Sequence, residues 1–161
     1  MRVLFALTSN QEEKIAQTYK ENYGEVLDVN VVYFFKSLID TVKKSAPFDR
    51  IIIHEEFESV GRKNRDVYDE YLFQNLDKVT DESNGACIIF LASEQRRNDD
   101  KLLNKLFNIG IYNILIGQEG TLGKVCELRK NPRTKKEAKR YAAYLMLCDY
   151  FGLHDEFDEQ D

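Results

Sequence analysis

The chain has 161 residues, of which 43% are apolar and 32% charged, and its net charge at neutral pH is -5. A chain of that length closes one hydrophobic core without help from metals or disulfides, and its low proline and glycine content excludes a long low-complexity tract. The acidic balance argues against a general nucleic-acid binder, although charge can still segregate locally.

Taken in order, the chain alternates between strand and helix periods. Met1-Arg2-Val3-Leu4-Phe5-Ala6-Leu7 is too short, and too soon followed by polar residues, for a signal peptide or a membrane span, and it reads as a first strand. Ser9 or Asn10 then offers an N-cap, with Glu12 and Glu13 in the first turn of a helix that runs to about Tyr23 and stops at Gly24. Glu25 to Val29 is a weaker second strand whose Asp28 suits a sheet edge. From Val32 the spacing of Phe35, Leu38, Ile39 and Val42 turns helical and ends at Ser45-Ala46-Pro47.

The rest of the chain is organised around Asp49-Arg50-Ile51-Ile52-Ile53-His54-Glu55-Glu56. Consecutive β-branched apolar residues predict a strand buried on both faces, as in the middle of a parallel sheet. Ligands of such sheets bind beyond the carboxyl ends of the strands, which puts His54, Glu55 and Glu56 where chemistry would occur. Histidine and carboxylates suit metal ligation or proton transfer. No second histidine lies near in sequence, however, and the expectation is a solvated strand end.

After it, Phe57 to Arg65 has the composition of a surface loop. Val67, Tyr71, Leu72, Leu76 and Val79 predict an amphipathic helix with Asp66, Asp69 and Glu70 near its start. A turn over Asp81 to Gly85 leads to an apolar fourth strand, Ala86 to Ala92, then a helix over Asp99 to Asn108 and a fifth strand, Ile111 to Ile116. Crossovers long enough to hold a helix imply parallel pairing. The expected fold is therefore α/β, a flavodoxin-like doubly wound five-stranded parallel sheet of order 2-1-3-4-5. Cys87, Cys126 and Cys148 are widely spaced and set among apolar residues, which predicts reduced core thiols of a cytoplasmic protein, no metal site and no cofactor.

Two segments carry a family resemblance. Pro47-Phe48-Asp49-Arg50-Ile51-Ile52-Ile53 before a polar triplet, and Phe107-Asn108-Ile109-Gly110-Ile111-Tyr112-Asn113-Ile114-Leu115-Ile116-Gly117, resemble the receiver domains of two-component response regulators over roughly residues 1 to 130. The resemblance implies a phosphorylated aspartate at the end of the third strand, an acidic pair after the first strand to hold magnesium, a switch hydroxyl after the fourth and a lysine after the fifth. Here those positions fall on His54, or Glu55 with a one-residue slip, on Ala6-Leu7-Thr8-Ser9-Asn10, on Ser93 and on Gly117. Only Ser93 keeps the required chemistry. The chain is similar in the same way to the atypical receiver domains at the N-terminus of ParA-like ATPases that position pilus-assembly machinery. It has no phosphate loop: Gly123-Lys124 lacks both the upstream glycine and a following Ser or Thr.

Beyond the receiver-like unit, residues 1–131, the expected parts are a C-terminal helix over 132–153 and an acidic tail over 154–161. Arg129, Lys130, Arg133, Lys135, Lys136, Lys139 and Arg140 form the strongest charge segregation, for which an acidic protein surface is the expected partner rather than nucleic acid. Pro132 suits a helix start. Tyr141, Ala142, Leu145 and Met146 recur at helical spacing on an added helix for which the basic fold has no obvious place, so they predict a homodimer interface. The expectation is a non-enzymatic, phosphorylation-independent regulatory and interaction module that recruits a protein partner such as an ATPase or a secretion or pilus assembly. The alternative is a phosphoryl or small-ligand switch at His54, Glu55 and Ser93.

Overall fold

The computed structural model describes residues 1–7, 12–45, 47–59, 64–83, 86–93, 95–96, 100–117, 132 and 134–137. Five strands, β1 (Arg2–Ala6), β2 (Asp28–Val31), β3 (Arg50–His54), β4 (Cys87–Ala92) and β5 (Asn113–Ile116), pair in the order β2-β1-β3-β4-β5. Every pairing is parallel. The helices between them are α1 (Glu12–Tyr23), α2 (Phe35–Lys44), α3 (Arg65–Glu82) and α4 (Lys101–Asn108). This is the flavodoxin-like order that the alternation of the sequence predicts.

Side-chain alternation along the strands divides the core in two. Leu4, Ile51, Ile53, Ile88 and Phe90 pack beneath α2, α3 and α4 with Phe35, Leu38, Leu72, Leu76 and Leu106. Val3, Phe5, Ile52, Ile89 and Leu115 face the other way, with Ile15 and Tyr19 of α1. Ile51, Ile52 and Ile53 are all fully buried, as a central strand flanked by two helical layers requires.

Several boundaries differ from the sequence expectation by one to three residues, two of them through side-chain contacts. β2 begins at Asp28 rather than Glu25, because Glu25 is held by the Met1 ammonium at 3.3 Å and by the Tyr19 hydroxyl at 2.9 Å. α3 begins at Arg65, earlier than the apolar spacing implies, because the Asn64 side chain accepts from the Val67 amide at 3.2 Å and caps it. At the far end, helical residues begin after Thr134, whose hydroxyl accepts from the Glu137 amide and donates to the Glu137 carboxylate, each at 3.2 Å, and so caps them.

Candidate functional site

The chain reverses its direction of growth at β1, with β2 on one side and β3 on the other, so the carboxyl ends of β1, β3 and β4 form the crevice where such sheets bind ligands. β3 delivers Glu55 there. Its amide still donates to the Leu91 carbonyl at 2.9 Å, so sheet register persists one residue past the strand. The turn that follows is pinned from α3, where the Tyr68 hydroxyl lies 2.6 Å from the carbonyl oxygens of both Glu55 and Phe57.

The expectation of a solvated strand end is overturned at Glu55, which is 3% exposed. A buried carboxylate is costly unless paired and hydrogen-bonded, and here both conditions hold. Its Oε1 accepts from the Ser93 amide at the end of β4. Arg96 donates to it through Nε at 3.2 Å and Nη2 at 3.0 Å, and Arg65 through Nη2 at 3.3 Å. Three of these bonds converge on Oε2 and one on Oε1, to which Arg96 Nε also donates at 3.4 Å.

Arg96 is itself buried, at 4% exposure. Nη2 also donates to Asp69 Oδ1 at 2.6 Å, while Nη1 donates to Asp69 Oδ2 at 2.8 Å and to Asp100 Oδ2 at 3.1 Å. All of its N–H groups thus end on the carboxylates of Glu55, Asp69 and Asp100. Burial disfavours the charged guanidinium, but the bonds to Asp69, Glu55 and Asp100 and the Glu55 charge outweigh that, so Arg96 holds its proton more tightly than a free arginine. Asp100 in addition caps α4, accepting from the Leu102 and Leu103 amides at 2.9 and 3.2 Å. One guanidinium therefore joins the end of β3, the first turns of α3 and the start of α4.

Of the residues singled out from the sequence, Glu55 and Ser93 are brought together, and Arg65 reaches both, lying 3.4 Å from Ser93 Oγ. His54 is not part of the cluster: its Nδ1 accepts from the Glu56 amide at 3.1 Å, which leaves the ring proton of the neutral imidazole on Nε2. Gly117 closes β5 with φ of 59°, a left-handed backbone that suits glycine and presents no cation to the crevice. The residues after β1 that would carry an acidic pair, Thr8, Ser9 and Asn10, lie outside the described residues. So do Tyr141, Ala142, Leu145, Met146, Arg129, Lys130, Arg133, Lys139 and Arg140 and the thiols Cys126 and Cys148, while Lys135 and Lys136 are exposed.

Sequence reasoning missed Arg96, Asp69 and Asp100. Arg96 sits in the polar run Gln95-Arg96-Arg97-Asn98-Asp99-Asp100, which reads as solvated loop, and Asp69 reads as a favourable charge near a helix start. Among the described residues no group of His, Cys, Asp and Glu side chains is arranged to hold a metal, because these carboxylates converge on a guanidinium. A separate cavity of about 360 Å³ opens at the opposite, amino end of β4 and β5, lined by Ser83, Cys87, Asn113 and Tyr112 among others. Burial pushes the Cys87 thiol up from its ordinary value, only partly countered by the charge of Arg50, so it is a poor nucleophile.

No family model and no curated protein sequence matches the chain. Among solved structures, a chain from Sinorhizobium meliloti assigned as the CpaE2 pilus assembly protein superposes with a TM-score of 0.54 at 12% identity, covering 79% of this chain and 95% of that one. A fusion carrying a trimeric coiled-coil segment of yeast Spc42 gives 0.56 at 13% identity over 99% and 92%. The adenylate cyclase of Rhodopirellula baltica gives 0.52 at 15% identity over 92% and 96%. At such identities the likeness establishes the fold alone.

Proposed function

We propose that this chain is a regulatory and protein-interaction module of degenerate receiver-like fold that works without phosphotransfer or other catalysis. It acts in the cytoplasm, associates with a second copy through Tyr141, Ala142, Leu145 and Met146, and recruits or localises a partner assembly. The observation that carries this reading is the occupancy of Glu55. A phosphoacceptor carboxylate must be free to attack and must sit beside a hard divalent cation, whereas the one carboxylate buried at the end of β3 is filled by Arg96, Arg65 and the Ser93 amide. The cation and amide arrive where a phosphoryl group would draw them, so Ser93 and Arg96 are held against the end of β3 without a modification. The fold shared with the CpaE2 chain supports a place beside a pilus or secretion assembly. Among the described residues no helix is long and apolar enough to cross a membrane.

The alternative, a phosphoryl or small-ligand switch at His54, Glu55 and Ser93, draws support from the closeness of Arg65 to both Glu55 and Ser93. Incubation with magnesium and acetyl phosphate, followed by intact-mass analysis, separates the two. The mass stays unchanged on the first reading. A stable gain that maps to His54 or Glu55 overturns it in favour of the switch.

A further inference from the structure

β4 and β5 diverge at their amino ends, where their ladder begins at Ile89 opposite Asn113. In a parallel pair, alternate residues of a strand address the same neighbour. Cys87 therefore turns its amide to β3, donating to the Asp49 carbonyl at 3.2 Å, and Ile88 turns its own toward β5. Among the described residues the Ile88 amide finds no acceptor there. The Ile111 carbonyl, which would take it were the ladder one step longer, accepts no bond from them either. Ile88 is 6% exposed and Ile111 1%. Main-chain groups so deeply buried are paired as a rule, so an orphaned donor at this place calls for a partner from outside the chain.

Ile88 borders the cavity of about 360 Å³ at this end of the sheet. Roughly 10–15 Å³ suffices for one water, and small-molecule pockets begin at about 300 Å³. Among the described residues no charged side chain lines it. Thr80 and Ser83 reach it from the end of α3, and their hydroxyls donate to the carbonyls of Asp77 and Thr80 at 2.7 and 3.2 Å, which leaves only acceptor lone pairs free. Ile109, the C-cap of α4, stands in the same wall. The carbonyl ends of two helices disfavour an anion there, and the open Ile88 donor disfavours a cation. Tyr112, whose ring packs edge to face on Phe107 at 5.1 Å, adds an aromatic surface that suits a flat ligand.

We propose that this cavity binds a small, uncharged, planar amide, of the class of heteroaromatic carboxamides and lactams. The carbonyl of the ligand accepts from the Ile88 amide, which removes the orphaned donor. Its N–H groups go to the acceptors that Thr80 and Ser83 leave open, and its ring lies against Tyr112 and Ile109. A charged ligand would lose its hydration with no ion to pair with in this wall. The site lies at the opposite end of the sheet from Glu55, so its failure would leave the reading of that cluster unchanged.

The test is an amide-correlation NMR titration of the full chain at neutral pH, with nicotinamide as the probe and nicotinate as the same ring carrying a carboxylate. Nicotinamide is expected to move the Ile88 amide proton downfield and saturably, while the amides of Glu55 and Ser93 stay in place. Nicotinate is expected to bind roughly tenfold or more weakly, because its charge is costly to bury unpaired. Thr80→Val keeps the shape of the wall but removes an acceptor, and is expected to weaken nicotinamide several-fold. Ala86→Leu adds bulk to the cavity wall and is expected to abolish the shift in a protein that still melts cooperatively. An Ile88 amide that does not respond to nicotinamide, equal affinity for nicotinate, or binding undiminished in these variants would each overturn the proposal.

Discussion

At the scale of single residues, the molecule turns on Arg96. A lysine has three donors around one point charge, whereas the guanidinium is a planar fork that can bind several carboxylates at once. Only that geometry answers Glu55, Asp69 and Asp100 together. Replacing Arg96 with Met leaves the Glu55 carboxylate buried without its principal partner, and urea denaturation is expected to show a loss of about 3–5 kcal/mol. The double variant Glu55→Gln with Arg96→Met should lose less than Arg96→Met alone, since Asp69 and Asp100, 22% and 21% exposed, can be hydrated once the buried charge is gone. A double variant less stable than the single one would show that the pair does not act as a unit. Little of this was legible beforehand: Glu55 drew notice because it ends an apolar strand, but Arg96 and its acids are scattered through runs that look like ordinary surface.

At the scale of elements, Asp100 serves two neighbours. It caps α4 through the Leu102 and Leu103 amides and also holds Arg96, so the start of that helix is fastened to the end of β3 through one side chain and one guanidinium. Asp100→Ala removes both links. The expected result is a loss of about 1–2 kcal/mol from the cap, with faster amide hydrogen exchange at Leu102 and Leu103 than in β3 or β4. Uniform acceleration across the sheet would mean that α4 has no independent tether. Strand and helix identities were readable from periodicity, since runs such as Ile51-Ile52-Ile53 and Cys87-Ile88-Ile89-Phe90-Leu91-Ala92 leave little choice. Boundaries were not, because Glu25 and Asn64 set them through contacts to Met1, Tyr19 and the Val67 amide.

At the scale of the whole molecule, the parallel sheet is covered by α1 on one face and by α2, α3 and α4 on the other. Helical residues begin again after Thr134, and the interface proposed at Tyr141, Ala142, Leu145 and Met146 is tested by light scattering across a concentration series. Leu145→Asp is expected to lower the mass at each concentration by one step of association, with an unchanged circular dichroism spectrum. An unchanged mass curve would overturn that interface.

The sequence by itself determined the architecture. Alternating periods of strand and helix, with crossovers of helical length, admit few arrangements other than a doubly wound parallel sheet, and the triple isoleucine run marks its centre. It also determined what β3 ends on. Only the tertiary structure decided that Glu55 is buried rather than solvated, because burial depends on what arrives from elsewhere in the chain. Arg96 comes from 41 residues away and Asp69 stands 27 residues from Arg96. Charge pairing over such separations is a property of the assembled fold, for any acidic residue near any basic one satisfies the sequence equally well, and only packing chooses among them.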